Sequence, residues 1–223
     1  MLPRRFAVYT ALAFALSAPL GCDATTAPRA RATASAEPAI TAEDQAFLSA
    51  RDAARLGNKE RLAQLAPLLA AHPLASYVEY WQLTLRLRQA DPAVANDVEA
   101  FFTRHADTYV ADRLRLDWAL ALAARDDFTG FDRESAKLVW NTDDGQLRCF
   151  MALSRYRTAA GQQAEVQARE ARQLLANTRD SAGEGCLALT EALLADGRIS
   201  AWERVRALVE QNQFATAKRI GAR

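Results

Sequence analysis

DTYVADRLRLDWALALAARDDFTGF, residues 107–131, decides the fold. Asp107 opens a helix in which Val110, Leu114, Trp118 and Leu122 recur at helical spacing and form one apolar stripe. Asp126 and Asp127 then open a partner helix that carries Phe128, Phe131, Leu138, Val139 and Trp140. Two such helices joined by a short turn still expose apolar surface. The hairpin must therefore stack on neighbours of its own kind.

Working outward, the same unit recurs. Thr41-Ala42-Glu43-Asp44 has the form of a capping box and starts a helix that runs to about Leu56, where Gly57-Asn58 ends it. Leu62, Leu65, Leu68 and Leu69 make the return face, and Pro73 breaks the chain. Tyr77, Val78, Trp81 and Leu85 mark the next helix, widened by Tyr80, Leu83 and Leu87. Asp91-Pro92 reads as an N-cap with Pro at the first helical position, followed by Val94, Val98, Phe101 and Phe102 on one face. Downstream, Asp143 and Asp144 open a helix with Leu147, Phe150 and Met151. Gly161 ends it, and the return helix holds Val166 to Leu175. Gly183 and Gly185 precede a helix over Cys186–Leu194, closed by Gly197, and Ser200-Ala201-Trp202-Glu203 reads as a second capping box. Hairpins start near Thr41, Leu74, Asp107, Asp143 and Ala182, roughly 33 to 39 residues apart, the range of two-helix solenoid repeats. The expected fold is all-α, a superhelix of antiparallel helical hairpins over residues 41–223. It is an α-solenoid of the tetratricopeptide type, without that repeat's strict consensus.

Composition agrees. Half of the 223 residues are apolar, and Gly and Pro are scarce, which favours helix over strand. With 28 basic and 27 acidic residues the net charge is +1, which lacks the basic footprint that non-specific nucleic-acid binding needs. The first residues read as an export signal. Arg4 and Arg5 precede an apolar run over Phe6–Leu20 that is too short for a membrane span. Gly21-Cys22 resembles the end of a bacterial lipoprotein signal, which makes Cys22 a candidate for lipidation, although Pro19 stands where that signal usually has Leu. Ordinary cleavage after Ala24, or within the Ala-rich stretch ending at Ala36, is the alternative. Residues 25–40 hold almost no large apolar side chain and read as a disordered tether. The expected location is the periplasm, with the membrane reached only through the signal or a lipid anchor.

Cys149 and Cys186 each fall in the first helix of a hairpin, one repeat apart. Equivalent positions of stacked repeats come within disulfide reach, and an exported protein meets an oxidising compartment. A bridge between them is expected, two buried free thiols being the alternative.

Complete catalytic constellations are missing from the sequence, and no cofactor is expected. His72 and His105 sit near helix C-terminal ends, where an imidazole complements the helix dipole, and neither has a metal-ligand partner in sequence. Asp126-Asp127 and Asp143-Asp144 read as helix-start pairs, since adjacent residues on a helix do not face one another. Glu134-Ser135 reads as a solvated helix face. Tyr77, Tyr80, Trp81, Trp118, Trp140 and Trp202 are expected in the core, with stacking on sugar rings as the alternative use. Arg86, Arg88, Arg113, Arg115 and Arg125 are expected in salt bridges or on solvated faces, with stem-peptide carboxylates as the alternative partner.

Several stretches together resemble the N-terminal helical region of the soluble lytic murein transglycosylases. They are Phe47–Ala54 with His72-Pro73-Leu74 and Tyr77–Trp81; Asp107–Arg115 running into Asp117-Trp118 and Asp126-Asp127-Phe128; Gln146–Cys149 with Cys186-Leu187; and Arg204-Val205 to Ile220. The resemblance spans nearly all of the chain after the tether. It implies a periplasmic, ring- or U-shaped helical superhelix. In that family a separate lysozyme-like domain with one catalytic glutamate cleaves the bond between N-acetylmuramic acid and N-acetylglucosamine, without metal or nucleotide. The family pairs Glu-Ser with a downstream Gly-Ala-x-Gly-Leu-Met-Gln run, and nothing like that run follows Glu134-Ser135. The chain is therefore expected to be inactive alone, to end within the superhelix at Arg223, and to position glycan strands or partner proteins. A free-standing periplasmic adaptor that binds envelope proteins is the alternative.

Overall fold

Helix stops and starts alternate along the chain, and about half of the starts are written in local capping chemistry. In the computed structural model, residues 40–178 and 181–222 are described. The export signal, Cys22 and the tether lie outside them, Ile40 excepted. The described residues contain no strand. Their helices are α1 (Ala42–Arg55), α2 (Lys59–Leu65), α3 (Ala75–Arg88), α4 (Val94–Arg104), α5 (Tyr109–Ala124), α6 (Phe128–Ser135), α7 (Gly145–Thr158), α8 (Gln162–Asn177), α9 (Glu184–Ala195), α10 (Ala201–Glu210) and α11 (Phe214–Gly221), with a 3-10 turn over Ala66–Leu69. None of these helices is long and apolar enough to cross a membrane.

Thr41 and Asp44 form the expected capping box on α1. Asn58, Thr108, Asp127, Asp144 and Ser200 cap α2, α5, α6, α7 and α10 by accepting from first-turn amides. Three expected caps are corrected. Asp107 and Asp126 adopt left-handed backbone, with φ of 58° and 66°, so they belong to the turns before α5 and α6, and the cap falls to the next residue. Asp tolerates that conformation better than most residues. Asp91 binds the Ala93 amide and shapes the turn, so α4 begins at Val94 and not at Pro92. Helix α6 stops at Ser135, leaving Leu138, Val139 and Trp140 in the connection to α7.

Packing runs in sequence order. Helix α1 packs on α3, α3 on α5, α5 on α7, and α7 on α9, while α5 also reaches α9. The intervening helices α4, α6 and α8 each touch the helix before and the helix after. One buried apolar cluster runs from Leu83 to Leu193, a second joins α1 and α2 to Val78 and Leu85 of α3, and a small third holds Leu208, Ala217 and Ile220 of α10 and α11. The first helices bury more than one stripe. On α5, Ala111, Leu116, Ala119 and Ala123 are buried beside Val110, Leu114, Trp118 and Leu122. A helix flanked on several sides has no wide polar face, so its charged residues must find partners inside.

Candidate functional site

A cleft with polar walls opens at the surface beside α3, α5 and α9. About 410 Å3 in volume, it is lined by residues including Leu87, Arg88, Asp117, Leu120, Arg125 and Glu184. Asp117 is fixed by α5 and faces α3, where the Tyr80 hydroxyl donates to its Oδ2 at 2.8 Å. Arg113, one turn earlier, places Nη2 3.9 Å from Asp117 Oδ1. Burial pushes the Asp117 carboxyl above its ordinary range, against the Tyr80 hydrogen bond and the charges of Arg113 and Arg88, which favour the ionised form. Burial, and then the Asp117 charge, push the Tyr80 phenol up to about 12. The cleft therefore offers donors and acceptors of both signs on an apolar floor, an arrangement suited to holding a polar ligand.

Glu134 corrects the expectation of a solvated face. Only 1% exposed, it sits on α6 beneath three cations. Its Oε1 accepts from Lys137 Nζ at 2.9 Å and from Arg133 Nε at 3.0 Å, while Arg115 reaches Oε2 from α5. Burial pushes the carboxyl up, but the hydrogen bonds from Lys137 and Arg133 and the charges of Lys137 and Arg115 outweigh it. Glu134 is held below the usual carboxylate range. A carboxylate so held stays ionised at neutral pH and is poorly suited to protonate a leaving group.

Asp112 is the residue that sequence reasoning missed. Buried on α5, it gathers a loop. Val139 N donates to Oδ1 at 2.8 Å, and Trp140 N, Asn141 N and Asn141 Nδ2 donate to Oδ2 at 3.2, 3.0 and 2.7 Å. Burial raises its pKa, the four hydrogen bonds lower it, and the net direction is down. The available signal was the breadth of the apolar surface of α5: Asp112 lies among the buried Val110, Ala111, Leu114 and Leu116.

The aromatic expectations divide. Trp118 is buried, and Tyr77, Tyr80 and Trp81 are partly buried. Trp140 and Trp202 are not core: they are 52% and 72% exposed. Most of the arginines are engaged. Arg86 pairs with Asp91 and Asp97, Arg115 also lies 4.0 Å over the Phe102 ring, and Arg125 donates to the Ala121 carbonyl and faces Trp118. Arg88 is exposed at the cleft. His105 is the C-cap of α4, with Nε2 3.2 Å from Glu79 Oε2. His72 stacks on Phe47 and accepts from the Leu74 amide through Nδ1. Asp143 is exposed while Asp144 caps, and Asp126 pairs with Arg157. No group of His, Cys, Asp and Glu among the described residues could hold a metal ion.

Cys149 of α7 and Cys186 of α9 form a disulfide, with Cα atoms 4.9 Å apart and both residues buried. Gly185 makes the approach possible. A Cβ there would lie 2.6 Å from the Gln146 carbonyl oxygen and 2.8 Å from the Phe150 ring.

Comparison with known proteins finds no matching family model, no matching curated protein and no matching solved structure.

Proposed function

We propose that the chain is a non-catalytic superhelical scaffold of the bacterial cell envelope, a tetratricopeptide-like solenoid. In this reading it positions murein glycan strands or partner proteins for cleavage of the N-acetylmuramic acid–N-acetylglucosamine bond by a separate transglycosylase domain. One observation carries the reading: first helices α1, α3, α5, α7 and α9 pack each on the next, while α4, α6 and α8 bridge successive first helices. Such an array presents an extended wall of surface. The disulfide suits an oxidising compartment such as the periplasm. The cation-bound Glu134 suits a chain without glycosidase chemistry of its own.

Sedimentation with insoluble murein sacculi tests this. The purified protein is expected to co-sediment and to release no soluble 1,6-anhydro fragments. Fragment release that disappears in Glu134→Gln would overturn the scaffold reading in favour of an enzyme. Failure to co-sediment would favour the second reading, a periplasmic adaptor for envelope proteins. The apolar stripe of Trp202 and Val209 on α10, with Phe214 nearby in sequence, supports that alternative, since these side chains are exposed.

A further inference from the structure

Tyr109 and Trp140 stand out among the exposed side chains because the backbone beneath one of them is fixed from inside the protein. Their ring centroids lie 6.4 Å apart with planes inclined by 52°. Tyr109 begins α5, and Trp140 belongs to the connection between α6 and α7. With Val139 they are 53%, 52% and 66% exposed. An irregular segment that displays a large aromatic normally moves, and ordering it on binding costs entropy. Here the cost is met in advance. Three consecutive amides, Val139 N, Trp140 N and Asn141 N, converge on the buried Asp112 carboxylate, and the Asn141 side chain adds a fourth bond. A carboxylate seated in a run of backbone amides is a strong local anchor. Trp202 is the contrast: it is equally large and more exposed, and no ring partner is found for it among the described residues.

We propose that Tyr109 and Trp140 form a preorganised stacking platform for a neutral pyranose ring, the N-acetylhexosamine of a glycan strand. The inference rests on the glycan-scaffold reading and assigns it a contact site. The chemistry is direct. One face of a pyranose carries C–H bonds whose hydrogens are weakly positive, and they complement the negative π face of Trp or Tyr. Two rings at an angle can grip adjoining faces of one sugar or two successive sugars. Asn141, Thr142 and Asp143 follow Trp140 in sequence; with Asn141 Nδ2 committed to Asp112, the Asn141 side-chain oxygen, the Thr142 hydroxyl and the Asp143 carboxylate are the groups that can meet sugar hydroxyls. Size decides against a protein partner. The exposed parts of two aromatic rings and one Val present on the order of 300 Å2, whereas a specific protein interface buries about 800 Å2 on each side. A sugar ring needs far less.

Titration with an oligomer of β-1,4-linked N-acetylglucosamine, followed by calorimetry, tests the platform alongside sacculus sedimentation. The wild-type protein is expected to bind the oligomer. Trp140→Ala is expected to weaken binding at least ten-fold and Tyr109→Ala several-fold, with Trp202→Ala as the unaffected control. All three positions are exposed, and unchanged far-UV circular dichroism checks that the variants fold. The proposal falls if the wild-type protein does not bind the oligomer, if Trp140→Ala binds as well as wild type, or if Trp202→Ala loses as much. Self-association abolished by Trp140→Ala, without oligomer binding, would overturn it and assign the patch to a second copy of the chain. Sacculi retained equally by wild type and Trp140→Ala would sink the platform and leave the scaffold reading standing. Trp140-dependent oligomer binding without sacculus binding would keep the platform and sink the scaffold reading.

Discussion

The α3–α5 and α7–α9 contacts are built on one plan and held by different means. In each, a tyrosine on the earlier helix donates to an aspartate on or just beyond the later one: Tyr80 to Asp117, and Tyr156 to Asp196, at 2.8 and 2.6 Å. The first contact has no covalent link: Arg113 pairs with Asp117 from one turn earlier, and the charge of Arg88 also acts on it. The second adds the Cys149–Cys186 bridge, the close backbone approach at Gly185, and a bond from the Cys186 amide to Gln146 Oε1. The difference teaches what each is for. The α7–α9 contact is locked covalently and has almost no space between its helices. The α3–α5 contact keeps a cleft beside it and a carboxyl whose charge is disfavoured by burial. The covalent lock belongs to one contact and the polar cleft to the other.

Removing the lock is the strongest way to break the comparison. Cys149→Ala with Cys186→Ala is expected to lower stability by about 3–4 kcal/mol, the chain-entropy value for a loop of this length. Urea unfolding of the oxidised wild type against the double variant measures it. A loss below about 1 kcal/mol would show that packing at Gly185, and not the bridge, holds α7 to α9.

Gly185→Ala isolates that packing. The added methyl must displace a backbone carbonyl or the Phe150 ring, so a loss of about 2 kcal/mol is expected despite the better helix propensity of Ala. A stabilised variant in the same urea assay would mean that the two helices are not so closely apposed.

The smallest effects come from the tyrosines. Tyr80→Phe is expected to cost about 1–2 kcal/mol, because it leaves a half-buried carboxylate short of a donor. Tyr156→Phe is expected to cost less, since Asp196 is exposed and water replaces the lost bond. The two also differ in alkali. Tyr80 has its phenol raised to about 12, so its contribution is complete below the ordinary value near 10 and is lost as pH rises towards 12. Melting temperatures between pH 9 and pH 12 should fall less steeply in Tyr80→Phe than in wild type. Parallel slopes would remove Tyr80 from the alkaline transition.

Much of this architecture was legible in the chain. The first helices begin at Ala42, Ala75, Tyr109, Gly145 and Glu184, each within two residues of the starts read from Thr41, Leu74, Asp107, Asp143 and Ala182. The Cys149–Cys186 pairing followed from their equivalent places in successive hairpins. Such features are local or periodic, and a capping residue or an apolar stripe acts on its own helix whatever lies beyond. The site was less legible. Glu134 read as a surface residue because its burial depends on α5 closing over α6, which no spacing within α6 reveals. Val139 and Trp140 read as core because they are large and apolar, yet Asp112, 27 residues before Val139, captures their amides and holds their side chains outward.

The sequence by itself determined that the described part of the chain is helical, where the first helix of each pair begins to within two residues, and which two cysteines occupy matching positions. Those are matters of backbone preference and periodic burial, settled within a few turns of chain. Only the tertiary structure decided the fate of its charges. Asp112 and Asp117 are the same residue type, five positions apart on one helix, and their proton affinities shift in opposite directions. One meets three backbone amides and a carboxamide from a distant loop, and the other meets a single hydroxyl and the Arg113 charge 3.9 Å away, against which burial prevails. A charge takes its character from whatever surrounds it in space, and the order of residues along α5 does not supply that.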